Sequence, residues 1–115
     1  MKKEIDGYLE GFEVKDDWVV AQISFPESFS GFQGHFPDQP VLPGVCQIAL
    51  AMVMAERMRG TRQKLAEVVN AKFVAMVLPN QPLRIECHLV GDILKVKLLS
   101  DGERVAEFKL RIGNA

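Results

Sequence analysis

The sequence is poor in residues that staple, ligate or span. It has two cysteines, Cys46 and Cys87, which form neither a metal-type spacing nor a disulfide framework, and both lie in apolar runs. They are expected to be buried free thiols in a reducing compartment. Histidine occurs twice, tryptophan once and tyrosine once. No cofactor or metal is implied. Charge of one sign is not in excess either: 14 Lys and Arg against 15 Asp and Glu leave a formal net charge of −1. That balance gives no basic footprint, so nucleic acid is excluded as the expected partner. The longest apolar run, Val41 to Ala55, is too short to span a bilayer and contains Pro43 and Gly44. Met1-Lys2-Lys3 is basic, but Glu4 and Asp6 interrupt what would have to be an apolar leader. A cytoplasmic protein is therefore expected. There is no repeat, low-complexity tract or linker, and residues 1–115 are read as a single domain able to bury its own core.

What is present is a strand-rich pattern around one apolar helix. Residues 1–7 are polar and expected to be loosely held. Tyr8, Phe12 and Val14 alternate with charged residues as in a half-buried strand, Lys15-Asp16-Asp17 is a turn, and Trp18 to Phe25 is the return strand. Helix is expected from about Gly44 to Arg59. Pro43 suits its start, Arg57 and Arg59 suit its last turn, and Gly60 stops it. Apolar residues run almost all the way round from Val45 to Ala55, which describes an enclosed helix. Thr61 to Glu67 reads as a polar connection. Four strands follow: Val68 to Met76, Leu83 to Val90, Ile93 to Leu99 and Arg104 to Ile112, with turns at Gly91-Asp92 and at Ser100 to Glu103. The implied class is α+β, an antiparallel sheet wrapped around one helix. Such a sheet leaves a face or an edge to be covered, and a second copy of the chain could cover it.

The stretch Gly34-His35-Phe36-Pro37-Asp38-Gln39-Pro40-Val41-Leu42-Pro43-Gly44 holds three prolines and two glycines, a stiff loop running straight into the helix. A histidine held there, next to free N–H groups at a helix start, is a candidate reactive group. Neutral imidazole is a suitable base near neutral pH. Helix-start amides favour a developing oxyanion, and Gly44 has no side chain to obstruct an approaching group.

Phe32 to Pro37 followed by Pro40 to Val45 resembles the active-site segment of the 3-hydroxyacyl-acyl-carrier-protein dehydratases, which have the hotdog fold. It is especially similar to their short relatives from aryl-polyene-type clusters. Asn70-Ala71-Lys72-Phe73 and Leu78 to Leu83 extend the resemblance. The family's N-terminal helix is absent from this reading. The resemblance implies a hydro-lyase acting on an acyl thioester carried by acyl carrier protein or coenzyme A. It implies His35 as the base that takes the α-proton and the Gly44 amide as the oxyanion donor. Val45, Phe36 and Leu42 would line the acyl site. The residue fourteen places after the histidine is a glutamate or aspartate in that family, supplied from the other subunit. Here it is Ala49, which can neither donate a proton nor hold a water. Gln47 is a poor acid and points roughly 200° round the helix from Ala49. Glu56 shares Ala49's face but lies about 10 Å further along the axis.

Several readings stay open at this point. The protein is a dehydratase in which His35 acts alone, or one that pairs as a heterodimer with an acid-bearing dehydratase. Otherwise it is a module that binds acyl thioesters or carrier protein without turnover, or a hotdog thioesterase; a homodimer or higher homo-oligomer is the expected assembly. His35 as a structural loop residue is the plain alternative. His88 reads as a solvated strand residue and Cys46 as an inert thiol, while Met52, Met54 and Met58 read as core filling. Arg57, Arg59, Arg62 and Lys64 are the candidate basic patch for an acidic carrier.

Overall fold

A computed structural model describes residues 1–33 and 40–115. A short helix α1 (Lys2–Tyr8) leads into β1 (Glu10–Lys15) and β2 (Trp18–Ile23). A 3-10 turn at Ser30–Phe32 precedes the long helix α2 (Gly44–Arg59). Then come β3 (Gln63–Phe73), β4 (Leu83–Val90), β5 (Ile93–Ser100) and β6 (Glu103–Asn114). The six strands form one antiparallel sheet in the order β1-β2-β4-β5-β6-β3, curled about α2. This is the hotdog architecture.

Register explains how the sheet grips the helix. Val19, Cys87, Val96 and Phe108 stand in one cross-strand row, and Ala21, Ile85, Leu98 and Ala106 in the next. All eight are buried. Against them pack Leu50, Ala51, Val53, Met54 and Ala55 of α2, with Phe25, Phe29 and Phe32 closing one end. Gly31 is fixed by this packing: a Cβ there would meet the Phe29 ring at 2.5 Å and the Cys46 sulfur at 2.7 Å. At the helix's other end Gly60 adopts φ 72°, the left-handed stop its sequence position implied, and its N–H bonds the Glu56 carbonyl. The Asp101-Gly102 turn has positive φ at both residues, as a two-residue hairpin of matching twist requires.

Three expectations need correction. Residues 2–8 are helix, so an N-terminal helix is present after all and Tyr8 belongs to it and not to a strand. Ile5 is fully buried. Lys2 pairs with Glu56 at 3.2 Å, and Arg57 bonds the Asp6 carboxylate at 2.7 Å and its carbonyl at 3.1 Å. Docking against α2 makes this polar segment helical; its composition alone does not. Glu4 accepts bonds from the Ser30 hydroxyl and N–H, and the hydroxyl bond chiefly holds its carboxyl below the usual range. That contact stabilises the fold above the ordinary carboxylate pKa and is lost as pH falls through the lowered one.

Second, β3 starts five residues early, within the expected polar connection, and ends at Phe73 rather than Met76. Third, α2 is not enclosed throughout. Its stripe Val45, Ile48 and Ala49 is partly open, with Val45 67% exposed. Of the candidate basic patch, Arg57 bonds Asp6 and Arg59 bonds Gln63 at 3.1 Å. The sheet has two edges, β1 and the longer β3, and on β3 Leu65, Val68, Val69 and Phe73 are all exposed. A long edge strand with apolar side chains is a surface built for pairing.

Candidate functional site

The loop before α2 ends in a fixed geometry. The Leu42 N–H donates to the Val77 carbonyl at 2.8 Å, and the buried Leu42 side chain anchors the chain as it enters the helix. Pro43 is the residue at the cap, and its carbonyl accepts from the Cys46 and Gln47 N–H groups at 3.0 and 3.3 Å. The N–H groups of Gly44 and Val45 have no hydrogen-bond partner among the described residues. They are the free donors that every helix start leaves, reinforced by the dipole of a 16-residue helix.

Gly44 lines a cleft of about 240 Å³ together with Val41, Leu42, Gln47, Phe73, Val74, Ala75 and Met76. The Phe73 ring lies directly on Gly44: a Cβ added at that glycine would sit 2.8 Å from the ring. A side chain at position 44 would therefore have to displace the Phe73 ring. Phe73, Val74 and Met76 are exposed on the outer side, so the cleft borders the open β3 edge.

Of the residues singled out from sequence, the structure brings Leu42 and Gly44 together on this cleft and places Val45 beside them, exposed at the helix start. His35 and Phe36 lie outside the described residues. Ala49 is half-buried on the partly open stripe of α2. Glu56, the one acidic residue of α2, is committed elsewhere: its carboxylate accepts from Lys2 Nζ at 3.2 Å and from the Gln63 N–H at 2.9 Å. His88 is more than a solvated residue. Its ring stacks on Trp18 with centroids 4.2 Å apart, and Nε2 lies 2.9 Å from the Asp17 carboxylate. Phe73 and Met76 were not anticipated at the site. Their signal was the break in strand pattern at Val74, which the apolar run concealed.

Both thiols are buried. Burial pushes the Cys46 thiol up, with the Glu4 charge adding, and burial raises Cys87 strongly. Neither is a poised nucleophile, despite the helix-start position of Cys46. Iodoacetamide at mildly alkaline pH is expected to leave both unmodified in the folded protein and to label both in denaturant, as counted by mass spectrometry. Rapid labelling of Cys46 in the folded state would contradict this. Among the described residues no His, Cys, Asp and Glu cluster could hold a metal, and no helix is long and apolar enough to cross a membrane.

Comparison with known proteins adds the following. The family model described as ApeI-like, ApeI dehydratase, matches residues 12–109. The 3-hydroxyacyl-[acyl-carrier-protein] dehydratase FabZ of Caldicellulosiruptor bescii is 34% identical over 92% of this chain and 83% of its own length. The FabZ of Anoxybacillus flavithermus is likewise 34% identical, over 92% of this chain and 82% of its own. Among solved structures, the dehydratase heterocomplex ApeI:P from Xenorhabdus doucetiae superposes with a TM-score of 0.83 at 22% identity, covering 90% of this chain and 95% of that one.

Proposed function

The chain belongs to the ApeI-like dehydratase family, and from that premise we propose that it binds 3-hydroxyacyl thioesters on acyl carrier protein and takes part in their dehydration to trans-2-enoyl thioesters. One observation carries the proposal: the Gly44 and Val45 amides have no partner among the described residues, and Gly44 lines a cleft beside a pairing edge. The thioester carbonyl accepts from the Gly44 N–H, so negative charge that develops on its oxygen is met by the helix start. The acyl chain lies along Leu42, Val45 and Phe36. His35 removes the α-proton; the electron pair left on Cα forms the double bond as the β-carbon–oxygen bond breaks. The departing hydroxide needs a proton to leave as water.

Ala49 supplies none, so the proton comes from one of two sources. Either His35 returns the one it took, or a second, acid-bearing dehydratase subunit donates it across an interface. The heterocomplex state of the Xenorhabdus doucetiae dehydratase and the open β3 edge support the second route. A homodimer through the same edge serves the first. Ala49 also favours a second reading, in which the chain is the non-catalytic acyl-thioester subunit of such a pair. A thioesterase needs a carboxylate to activate water, and position 49 does not offer one.

The test is turnover of 3-hydroxyacyl-carrier thioesters by the chain alone and by the chain mixed with a dehydratase carrying the acid, followed by mass spectrometry of the carrier. Enoyl product whose yield depends on this chain is expected. Binding without turnover in both settings would select the non-catalytic reading. No binding of any acyl thioester would overturn the proposal.

A further inference from the structure

The Gln47 side chain is 3% exposed, and its two amide atoms have different fates. Nε2 donates to the Leu42 carbonyl at 3.3 Å. A carbonyl can only accept, so the amide nitrogen must face it, and the orientation of the group is fixed by chemistry. The remaining atom, Oε1, is a buried acceptor with no partner among the described residues. A buried polar atom of this kind costs free energy until a donor reaches it, and native structures keep few without a reason.

Its surroundings say what kind of donor fits. The bond to Leu42 curls the side chain back toward the start of α2. There Gln47 lines the cleft with Val41, Leu42, Gly44, Phe73, Val74, Ala75 and Met76, so it is the one polar side chain among the described lining residues. A matching occupant is mostly apolar and carries a single hydrogen-bond donor close to the group held by the Gly44 amide.

Resting on the function proposed above, we propose that Gln47 Oε1 accepts the proton of the substrate's 3-hydroxyl and so selects 3-hydroxyacyl thioesters over acyl and 2-enoyl ones. The 3-hydroxyl is the only donor on the acyl part of the substrate. Saturated chains lack it, and the enoyl product has lost it. A binding site that leaves a buried polar group unpaired discriminates against the ligand that cannot pair it. Gln47 thus holds the reacting carbon near the helix start and weakens its grip on the product once the hydroxyl has gone. It transfers no proton itself.

The test uses amide-linked pantetheine analogues, whose α-protons are too weakly acidic to be removed, so that binding is read without turnover. Dissociation constants of 3-hydroxyoctanoyl and octanoyl forms are compared by calorimetry. The unsubstituted protein is expected to prefer the hydroxylated ligand by about tenfold, the size of one hydrogen bond of ordinary strength. Gln47→Met and Gln47→Leu should bring the ratio close to one, two variants guarding against a folding failure of either. Gln47→Glu, which keeps an acceptor oxygen, should retain most of the preference. Pantetheine amides and cleft waters are common to both ligands and do not move the ratio. Equal binding of both ligands by the unsubstituted protein, or a preference that survives Gln47→Met or Gln47→Leu, overturns the role of Gln47 and leaves the proposed function standing. Failure of both ligands to bind overturns the proposed function itself.

Discussion

Exchange of His35 for alanine is expected to lower dehydration of 3-hydroxyacyl thioesters by roughly 10²–10⁴-fold, the usual contribution of a positioned general base. The loss should fall on kcat. The imidazole acts on a proton that moves only in the reaction, whereas the carbonyl is held by the Gly44 amide and the chain by apolar contacts. Dissociation constants for saturated acyl thioesters should therefore stay near those of the parent, which also shows that the variant is folded. The rate of the parent should rise with pH through the imidazole pKa, because the neutral ring is the base, and this limb should vanish in the variant. A His35→Ala protein as fast as its parent, alone and in the paired assembly, shows that the base is another group.

Restoring the acid is the complementary change. Ala49→Glu is expected to raise turnover of the self-paired protein by about 10²–10⁴-fold. Position 49 lies half-buried on the partly open stripe of α2, so a longer side chain can extend toward a second chain without entering the core. Glutamate is a good helix former, and the local cost is small. The new group works in its protonated form, so the added rate should decline as pH rises through the carboxyl pKa. The base limb and the acid limb together give a bell. The double variant His35→Ala, Ala49→Glu should remain slow, because the acid serves a step that the base begins. If Ala49→Glu gains nothing while acyl thioesters still bind, the cleft is built for holding and not for elimination.

The contrast between positions 49 and 47 shows where sequence reasoning reaches and where it stops. The family resemblance around His35 is what marks Ala49 as the place of the missing acid; helical spacing alone does not supply that role. Helical spacing placed Gln47 on a different side of the helix and dismissed it. It could not foresee that the amide would curl back to the Leu42 carbonyl and leave its oxygen buried and without a partner among the described residues. A side chain's second bond depends on what the rest of the fold brings to it.

The amino-acid order determined the parts whose signals are local. The bounds of α2 follow from Pro43 and Gly60 around good helix formers, and β4 from strict alternation at Leu83, Ile85, Cys87 and Leu89. The hairpin turns follow from residues that tolerate positive φ. Tertiary structure decided the rest. Helix α1 exists because Ile5, Asp6 and Lys2 find α2, a long-range gain that a seven-residue polar segment cannot reveal. The start of β3 was hidden because an edge strand exposed along nearly its whole length shows no alternation to read. Packing also set Phe73 over Gly44, turning the end of a strand into one wall of the site. Short-range preferences are written residue by residue; contacts between distant segments exist only once the sheet has closed around its helix.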